Sequence, residues 1–261
     1  MDISTKMARR TKFMQASAIR EILKVVAQDG MISLAGGIPA PESFPMDIIK
    51  QLTHDVLDEF GSAALQYDKT EGFEPLRLAL VPHLNERGVV DVNMDTLTIF
   101  SGSQGVLDLV AKVLITPGDK IAIEAPSYLG AISAFNAYEP EYVSVMTDDE
   151  GIIPDALETV LKENEIKLLY LVPTFQNPSG RTLSLERRQR VAELLKQYDV
   201  LLLEDDPYMA LRYSGEELPP IQQFAPKHVV YTSTFSKILA PGLRIGYCVA
   251  PIDLARWLVI A

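Results

Sequence analysis

The 261-residue sequence predicts an α/β fold in which a mainly parallel sheet is covered by helices on both faces. Two patterns carry that expectation. From residue 97 onward, apolar runs of strand length alternate with segments whose apolar residues recur at helical spacing. Small and polar residues also cluster where several of those runs stop, which a packed core alone does not require. Bulk composition sets the outer bounds. With 48% hydrophobic and 23% charged residues, the chain can bury a large core, which argues against disorder. A net charge of −11 with no basic stripe argues against a nucleic-acid surface. No apolar run is long enough to span a membrane, and no apolar signal core follows Lys6, Arg9, Arg10 and Lys12. The single cysteine, Cys248, excludes an internal disulfide and fits a reducing cytoplasm. His54, His83 and His228 are scattered and read as structural, so no metal cluster is expected.

Residues 1–45 read as an N-terminal arm. After a polar lead, Ser17 can cap a helix over Ser17–Val26, and Asp29-Gly30 would end it. Ile32-Ser33-Leu34 is a short extended piece leading to Gly36-Gly37, a pair that permits close backbone approach to a ligand or serves as a plain turn. Residues 46–261 form the body. Helices over Met46–Phe60 and Glu74–Arg87 flank Leu65-Gln66-Tyr67 and a loop. Strands are predicted at Leu97–Phe100, Lys120–Glu124, Glu141–Val145, Leu168–Val172, Val200–Glu204, Val229–Tyr231 and Ile245–Ala250. Helices are predicted at Gly105–Ile115, Leu129–Asn136, Pro154–Lys162 and Leu185–Gln197.

Ligands of open α/β sheets bind beyond the carboxyl ends of the strands, and several clusters sit there. Ser101-Gly102-Ser103-Gln104-Gly105 opens a helix directly after a strand; its free backbone N–H groups suit an anion, although an ordinary helix start has the same look. Tyr128 follows Glu124-Ala125-Pro126-Ser127 and is placed either to stack on a flat ring or to pack. In Pro173-Thr174-Phe175-Gln176-Asn177-Pro178-Ser179-Gly180, Asn177 offers an amide donor, or the stretch is only a turn. Leu201-Leu202-Leu203 runs into Glu204-Asp205-Asp206-Pro207-Tyr208. A carboxylate closing such an apolar strand is costly to ionise unless a cation, such as a protonated pyridine, pairs with it. Helix capping by Asp205 or Asp206 is the plainer alternative.

The last cluster is the sharpest. After Val229-Val230-Tyr231 come Thr232, Ser233, Thr234 and Ser236, then Lys237, an apolar Gly/Pro turn, and Arg244. A lysine with few charged neighbours beside such a turn is expected to be partly desolvated, which disfavours the ammonium form and leaves a nucleophilic amine. Such an amine can form a Schiff base with pyridoxal 5'-phosphate (PLP), while the hydroxyls and Arg244 suit a phosphate. A solvated loop lysine is the competing reading.

In this order and combination, the Ser-Gly-Ser-Gln, Asn-Pro-Ser-Gly and Glu-Asp-Asp-Pro-Tyr segments, with Thr234-Phe235-Ser236-Lys237 and Gly242-Leu243-Arg244-Ile245-Gly246, resemble the fold-type I PLP enzymes. Within them, the chain is similar to class I/II aminotransferases of the α-aminoadipate, kynurenine and multi-substrate branch, over residues 15–261. The resemblance implies an aspartate aminotransferase-like large domain with a mixed, mainly parallel seven-stranded sheet. It implies that Lys237 holds PLP as an internal aldimine and then moves a proton, that Asp205 pairs with the pyridinium nitrogen, and that Asn177 and Tyr208 bond the phenolic oxygen. Ser103, Gln104, Thr234, Ser236 and Arg244 would hold the phosphate and Tyr128 would stack over the ring. Tyr67 would reach the phosphate of a partner subunit in a homodimer with shared sites, and Arg20, Gly37 and Asn177 would lie near substrate. The implied reaction is transamination between an L-amino acid and a 2-oxo acid, 2-oxoglutarate among them, in the cytoplasm. A non-catalytic PLP-binding sensor module, like that of certain bacterial transcription regulators, is the alternative; a lyase or decarboxylase would use the same fold. Family members continue into a small C-terminal domain with an arginine for the substrate carboxylate. This sequence stops in an apolar helical tail at Ala261, so a piece of a longer protein is expected.

Overall fold

The computed structural model describes residues 1–14, 37 and 39–261. Seven strands form one sheet in the order β1-β9-β8-β7-β6-β2-β3. They are β1 (Leu97–Phe100), β2 (Lys120–Glu124), β3 (Glu141–Val145), β6 (Ile166–Leu171), β7 (Leu201–Asp205), β8 (Val229–Thr234) and β9 (Gly246–Val249). Only β9 runs antiparallel to its neighbours, β1 and β8, so the sheet is mixed and mainly parallel. The remaining two strands, β4 (Thr147–Asp148) and β5 (Gly151–Ile152), pair as a separate short hairpin that no apolar run announces. The described helices are α1 (Met46–Phe60), α2 (Glu74–Glu86), α3 (Ser103–Leu114), α4 (Leu129–Phe135), α5 (Pro154–Glu163), α6 (Leu185–Tyr198) and α7 (Ile252–Ile260).

Local chemistry explains these elements. The central strands β6 and β7 are buried on both faces, hence their near-continuous leucine runs; edge strand β3, Glu-Tyr-Val-Ser-Val, is largely open to solvent. Pro154 occupies the first turn of α5, where its missing N–H costs nothing. Ser184 caps α6 by accepting from the Arg187 backbone N–H at 3.4 Å, and the helix stops where Asp199 turns left-handed at φ 51°. Side chains then alternate across the sheet. Ile121, Ile123, Leu168, Tyr170, Leu203 and Val230 pack under α3, α4 and α7, whereas Ala122, Leu169, Leu171, Leu202 and Val229 pack against α5 and α6. A third cluster seats α2 on β1 and β9 through Leu80, Leu84, Leu97 and Val249.

Expected boundaries shift where polar residues remain in the ladder. β8 continues three residues past its apolar run, because Thr232, Ser233 and Thr234 pair with Cys248, Tyr247 and Gly246. The Thr232 and Ser233 hydroxyls therefore bond to backbone, at Tyr247 O and Asp206 O, instead of standing free beyond the strand. Helix α3 begins at Ser103, two residues earlier than its apolar spacing suggests. Short 3-10 turns at Ile3–Lys6 and Arg9–Lys12 replace the featureless polar lead. The helix predicted at Ser17–Val26 and the extended piece at Ile32–Leu34 lie outside the described residues.

The same alternation divides three consecutive acids. Asp205 points to the α3 side with Tyr170 and Leu203, while Glu204 and Asp206 point to the α6 side. There Arg188, fully buried, donates to the carbonyls of Leu183, Pro219 and Pro173 and to Thr174 Oγ1, at 2.9–3.1 Å. It is also the cation facing Glu204 and Asp206. We predict that Arg188→Met, which keeps volume but strips the charge and the donors, costs at least about 3 kcal/mol of stability. A urea midpoint displaced by less than about 1 kcal/mol at constant slope would remove Arg188 from this role.

Candidate active site

A cleft of about 320 Å3 opens at the carboxyl ends of β1, β2, β6, β7 and β8. Its walls include Ser103, Gln104, Tyr128, Asn177, Asp205, Tyr208, Thr234, Ser236, Lys237 and Arg244, so ten of the residues singled out in the sequence converge on one place. The β7–β8 register explains part of this. Asp205 pairs with Thr232, and Thr234, two residues on, lies beyond the end of β7 on the same face.

One end of the cleft is built for an anion. The start of α3 presents the backbone of Ser103 and Gln104, and Thr234, Ser236 and Arg244 stand opposite. Thr234 Oγ1 accepts from the Ser236 backbone N–H at 3.1 Å and lies 3.0 Å from both Ser236 Oγ and Ile245 O. Arg244 is held left-handed at φ 55° and donates to Ser101 O at 3.2 Å. Two glycines make this approach possible. A Cβ on Gly102, itself at φ +82°, would strike the Arg244 guanidinium. One on Gly246 would come within 2.5 Å of the Gly102 carbonyl carbon. Along the wall, Gln104 Nε2 donates to Gly130 O at 2.8 Å, and an added Cβ on Gly130 would lie 2.5 Å from the Tyr128 hydroxyl oxygen.

The other end is acidic. Asp205 is only 3% exposed; Tyr170 donates to its Oδ2 at 2.9 Å, and its Oδ1 has no hydrogen-bond partner. Burial pushes the Asp205 carboxyl up to about 7; the Tyr170 hydrogen bond and the charge of Lys237 oppose that rise, and Asp206 adds to it. Its neighbour Glu204, also raised to about 7 by burial, is satisfied by the backbone N–H groups of Ile221 and Gln222 at 2.8 and 2.9 Å. None of the three acids caps a regular α-helix, so that alternative is set aside. Midway, Asn177 Nδ2 donates to Tyr208 Oη at 3.2 Å, and Lys237 Nζ stands 5.9 Å from the centre of the Tyr208 ring.

Four expectations need comment. The desolvation foreseen for Lys237 is absent: the side chain is exposed, because Ile238 and Leu243 of the adjoining turn are themselves 42% and 40% exposed. Tyr67 is 98% exposed and contributes nothing to this cleft. Gly37 is exposed, with open space around it, and Arg20 lies outside the described residues. The sequence reading missed Tyr170, Glu124 and Gln176. Glu124, buried at the end of β2 and raised to about 7 by burial, accepts from Val172 N at 3.2 Å; Gln176 Nε2 donates to Pro126 O at 2.9 Å. Together they tie the loop bearing Tyr128 to the loop bearing Asn177. A glutamate closing the apolar Lys-Ile-Ala-Ile-Glu strand was the available signal. Among the described residues, no group of three or more His, Cys, Asp or Glu is placed to hold a metal ion.

The donor set fits PLP: an amine for the aldehyde, an unpartnered buried carboxylate oxygen for a ring N–H, an amide–phenol pair for the phenolic oxygen, and an anion cradle. A pH consequence follows for the protein without bound ligand. The native carboxyls of Asp205, Glu204 and Glu124 hold their protons to about 7, whereas the unfolded chain releases them near 3.8–4.5. The native state therefore binds more protons in that window, and stability falls as pH rises through it. The opposite contribution of Asp148, held down to about 2 by Arg187, is complete below that window. Thermal midpoints measured from pH 5 to 7.5 should decline, and Asp205→Asn should flatten the decline; a midpoint that climbs with pH would contradict this.

The chain matches the family described as aminotransferase class I and II over residues 30–260. It is 48% identical to aromatic-amino-acid aminotransferase 1 of Thermococcus litoralis, an alignment covering all of this chain and 64% of that protein. The crystal structure of a multiple substrate aminotransferase from Thermococcus profundus superposes with a TM-score of 0.92 at 46% identity, covering 100% of this chain and 66% of that one. A kynurenine aminotransferase of Pyrococcus horikoshii, solved with PMP, gives a TM-score of 0.93 at 43% identity, covering 99% of this chain and 65% of the other. The chain thus spans less than two thirds of the length of the first curated relative that it matches. With its sheet, its cleft and these likenesses in agreement, it belongs to the class I and II aminotransferases.

Proposed function

We propose that the chain forms the cofactor-binding part of a PLP-dependent aminotransferase that moves an amino group from an L-amino acid to a 2-oxo acid, with 2-oxoglutarate as acceptor. One observation carries this reading: an amine, Lys237, and a buried, half-unpartnered carboxylate, Asp205, line the same cleft as an anion cradle. In this reading, PLP supplies the electron sink that accepts the pair left on the substrate Cα when its proton departs.

The residues divide the remaining work. Lys237 Nζ would hold the aldehyde carbon, and its amine would carry the substrate Cα proton as a general base. Asp205 Oδ1 holds a proton on the ring nitrogen, and the low dielectric that raises its own affinity for protons strengthens that pairing. Asn177 and Tyr208, joined by their own hydrogen bond, would hold the phenolic oxygen. Ser103, Gln104, Thr234, Ser236 and Arg244, all in the cleft wall, would hold the phosphate and so fix the ring in place. Tyr128 covers one ring face. Arg20, Gly37 and Asn177 would lie near the substrate.

A homodimer with shared sites is part of this proposal. Helix α1 buries none of its residues and leaves Ile48, Leu52 and Val56, one helical turn apart, 60%, 52% and 41% exposed. Tyr67 follows on the same stretch, at 98% exposure. A cytoplasmic setting is supported by the lone, buried, unpaired Cys248.

The test is covalent. Incubation with PLP and reduction with borohydride should label the peptide that carries Lys237, and Lys237→Ala should lose that label along with the cofactor absorbance. Label on another lysine, or none, would defeat the proposal. In an assay of amino donors with 2-oxoglutarate, Asp205→Ala should lower turnover by at least about 100-fold.

A further inference from the structure

We propose that Tyr170 is a positioning residue for the nitrogen end of the cofactor: its buried hydroxyl occupies Asp205 Oδ2 and thereby reserves Oδ1 for the ring nitrogen. This rests on the PLP reading above. Tyr170 itself does not line the cleft. It is fully buried in β6, with its ring set edge-on against Phe135 at 5.5 Å between centres and 80° between planes. The strand register makes the contact unavoidable. Tyr170 pairs with Leu203, and Asp205 is two residues further along β7, so both polar groups emerge on the same face.

A carboxylate has two equivalent oxygens and a broad final torsion, so an isolated Asp205 would have no fixed orientation. A single donor at 2.9 Å removes that freedom. It leaves one oxygen, buried and without a partner, as the only one available to a ligand N–H. Burial and the nearby Asp205 charge raise the Tyr170 phenol well above its ordinary value, so its hydroxyl stays protonated and remains a donor at any working pH. A donor on Oδ2 also favours the ionised carboxylate, which binds a protonated ring nitrogen far better than it binds carbon. Glu204 and Asp206 cannot substitute, since strand alternation sends them to the opposite face.

The experiment compares two probes: PLP, and the analogue in which a ring C–H replaces the pyridine nitrogen. Dissociation constants are measured for both in the wild type, Tyr170→Phe, Asp205→Asn and the double variant. Phenylalanine keeps the ring packed on Phe135, so the fold is preserved. Tyr170→Phe should narrow the preference for PLP over the analogue by about tenfold while leaving the affinity for the analogue within about twofold. In the Asp205→Asn background, the same change should leave the preference where Asp205→Asn alone put it. Equal weakening of both probes by Tyr170→Phe would mean a merely structural tyrosine and overturn the proposal, as would an unchanged preference. Borohydride capture on Lys237 in the wild type separates the two layers: if it fails, the PLP reading falls first and this inference with it.

Discussion

Asp205 carries its carboxyl into an interior where ionisation is opposed, with a single neutral donor from the protein and one oxygen left over. Most of the site is arranged around that imbalance. An unpaired buried charge costs several kcal/mol, so the carboxyl holds its proton more tightly than an exposed one until a cationic partner arrives. The anion cradle lines another part of the same cleft. A ligand that satisfies both carries a hydrogen-bonding cationic group at one end and an anion at the other, as PLP does with its ring nitrogen and phosphate. The protein thus selects its ligand by two complementary deficits.

The neighbouring acids show that burial alone does not make a site. Glu204 is as deeply buried as Asp205 and is also raised to about 7, yet two backbone N–H groups and the field of Arg188 satisfy it. What distinguishes Asp205 is its strand parity, which turns it away from Arg188 and toward the cleft. One residue of register separates a structural carboxylate from a functional one.

That parity was legible in the amino-acid sequence only as a suspicion about a carboxylate closing three leucines. The strands were readable because parallel, doubly covered strands such as β6 and β7 are unbroken apolar runs. The clusters at their ends were readable because small, polar and charged residues have no reason to gather there otherwise. Other features left no such trace. Arg188 sits inside a helix dense in charge, Leu-Glu-Arg-Arg-Gln-Arg, where nothing marks it as the buried member. Tyr170 looks like one more apolar residue of its strand until the register places Asp205 beside it. The extension of β8 through Thr234 escaped because hydroxyl residues read as a loop, although their hydroxyls bond to neighbouring backbone. Lys237 was located by its motif, but its setting was misjudged, since the apolar residues of its turn face outward.

The reversed strand β9 has a consequence of its own. Gly246, at its first position, sits against the backbone of Gly102 and Ser103 and is in register with both Phe100 and Thr234. The two sides of the anion-facing end of the cleft, drawn from distant parts of the chain, meet across this strand and at the Arg244–Ser101 hydrogen bond. Among the described residues, β9 follows in sequence both strands that it joins, β1 and β8. This end of the cleft is therefore whole only when the sheet is whole: the β9 ladder clamps the start of α3 beside the Thr234–Ser236 segment.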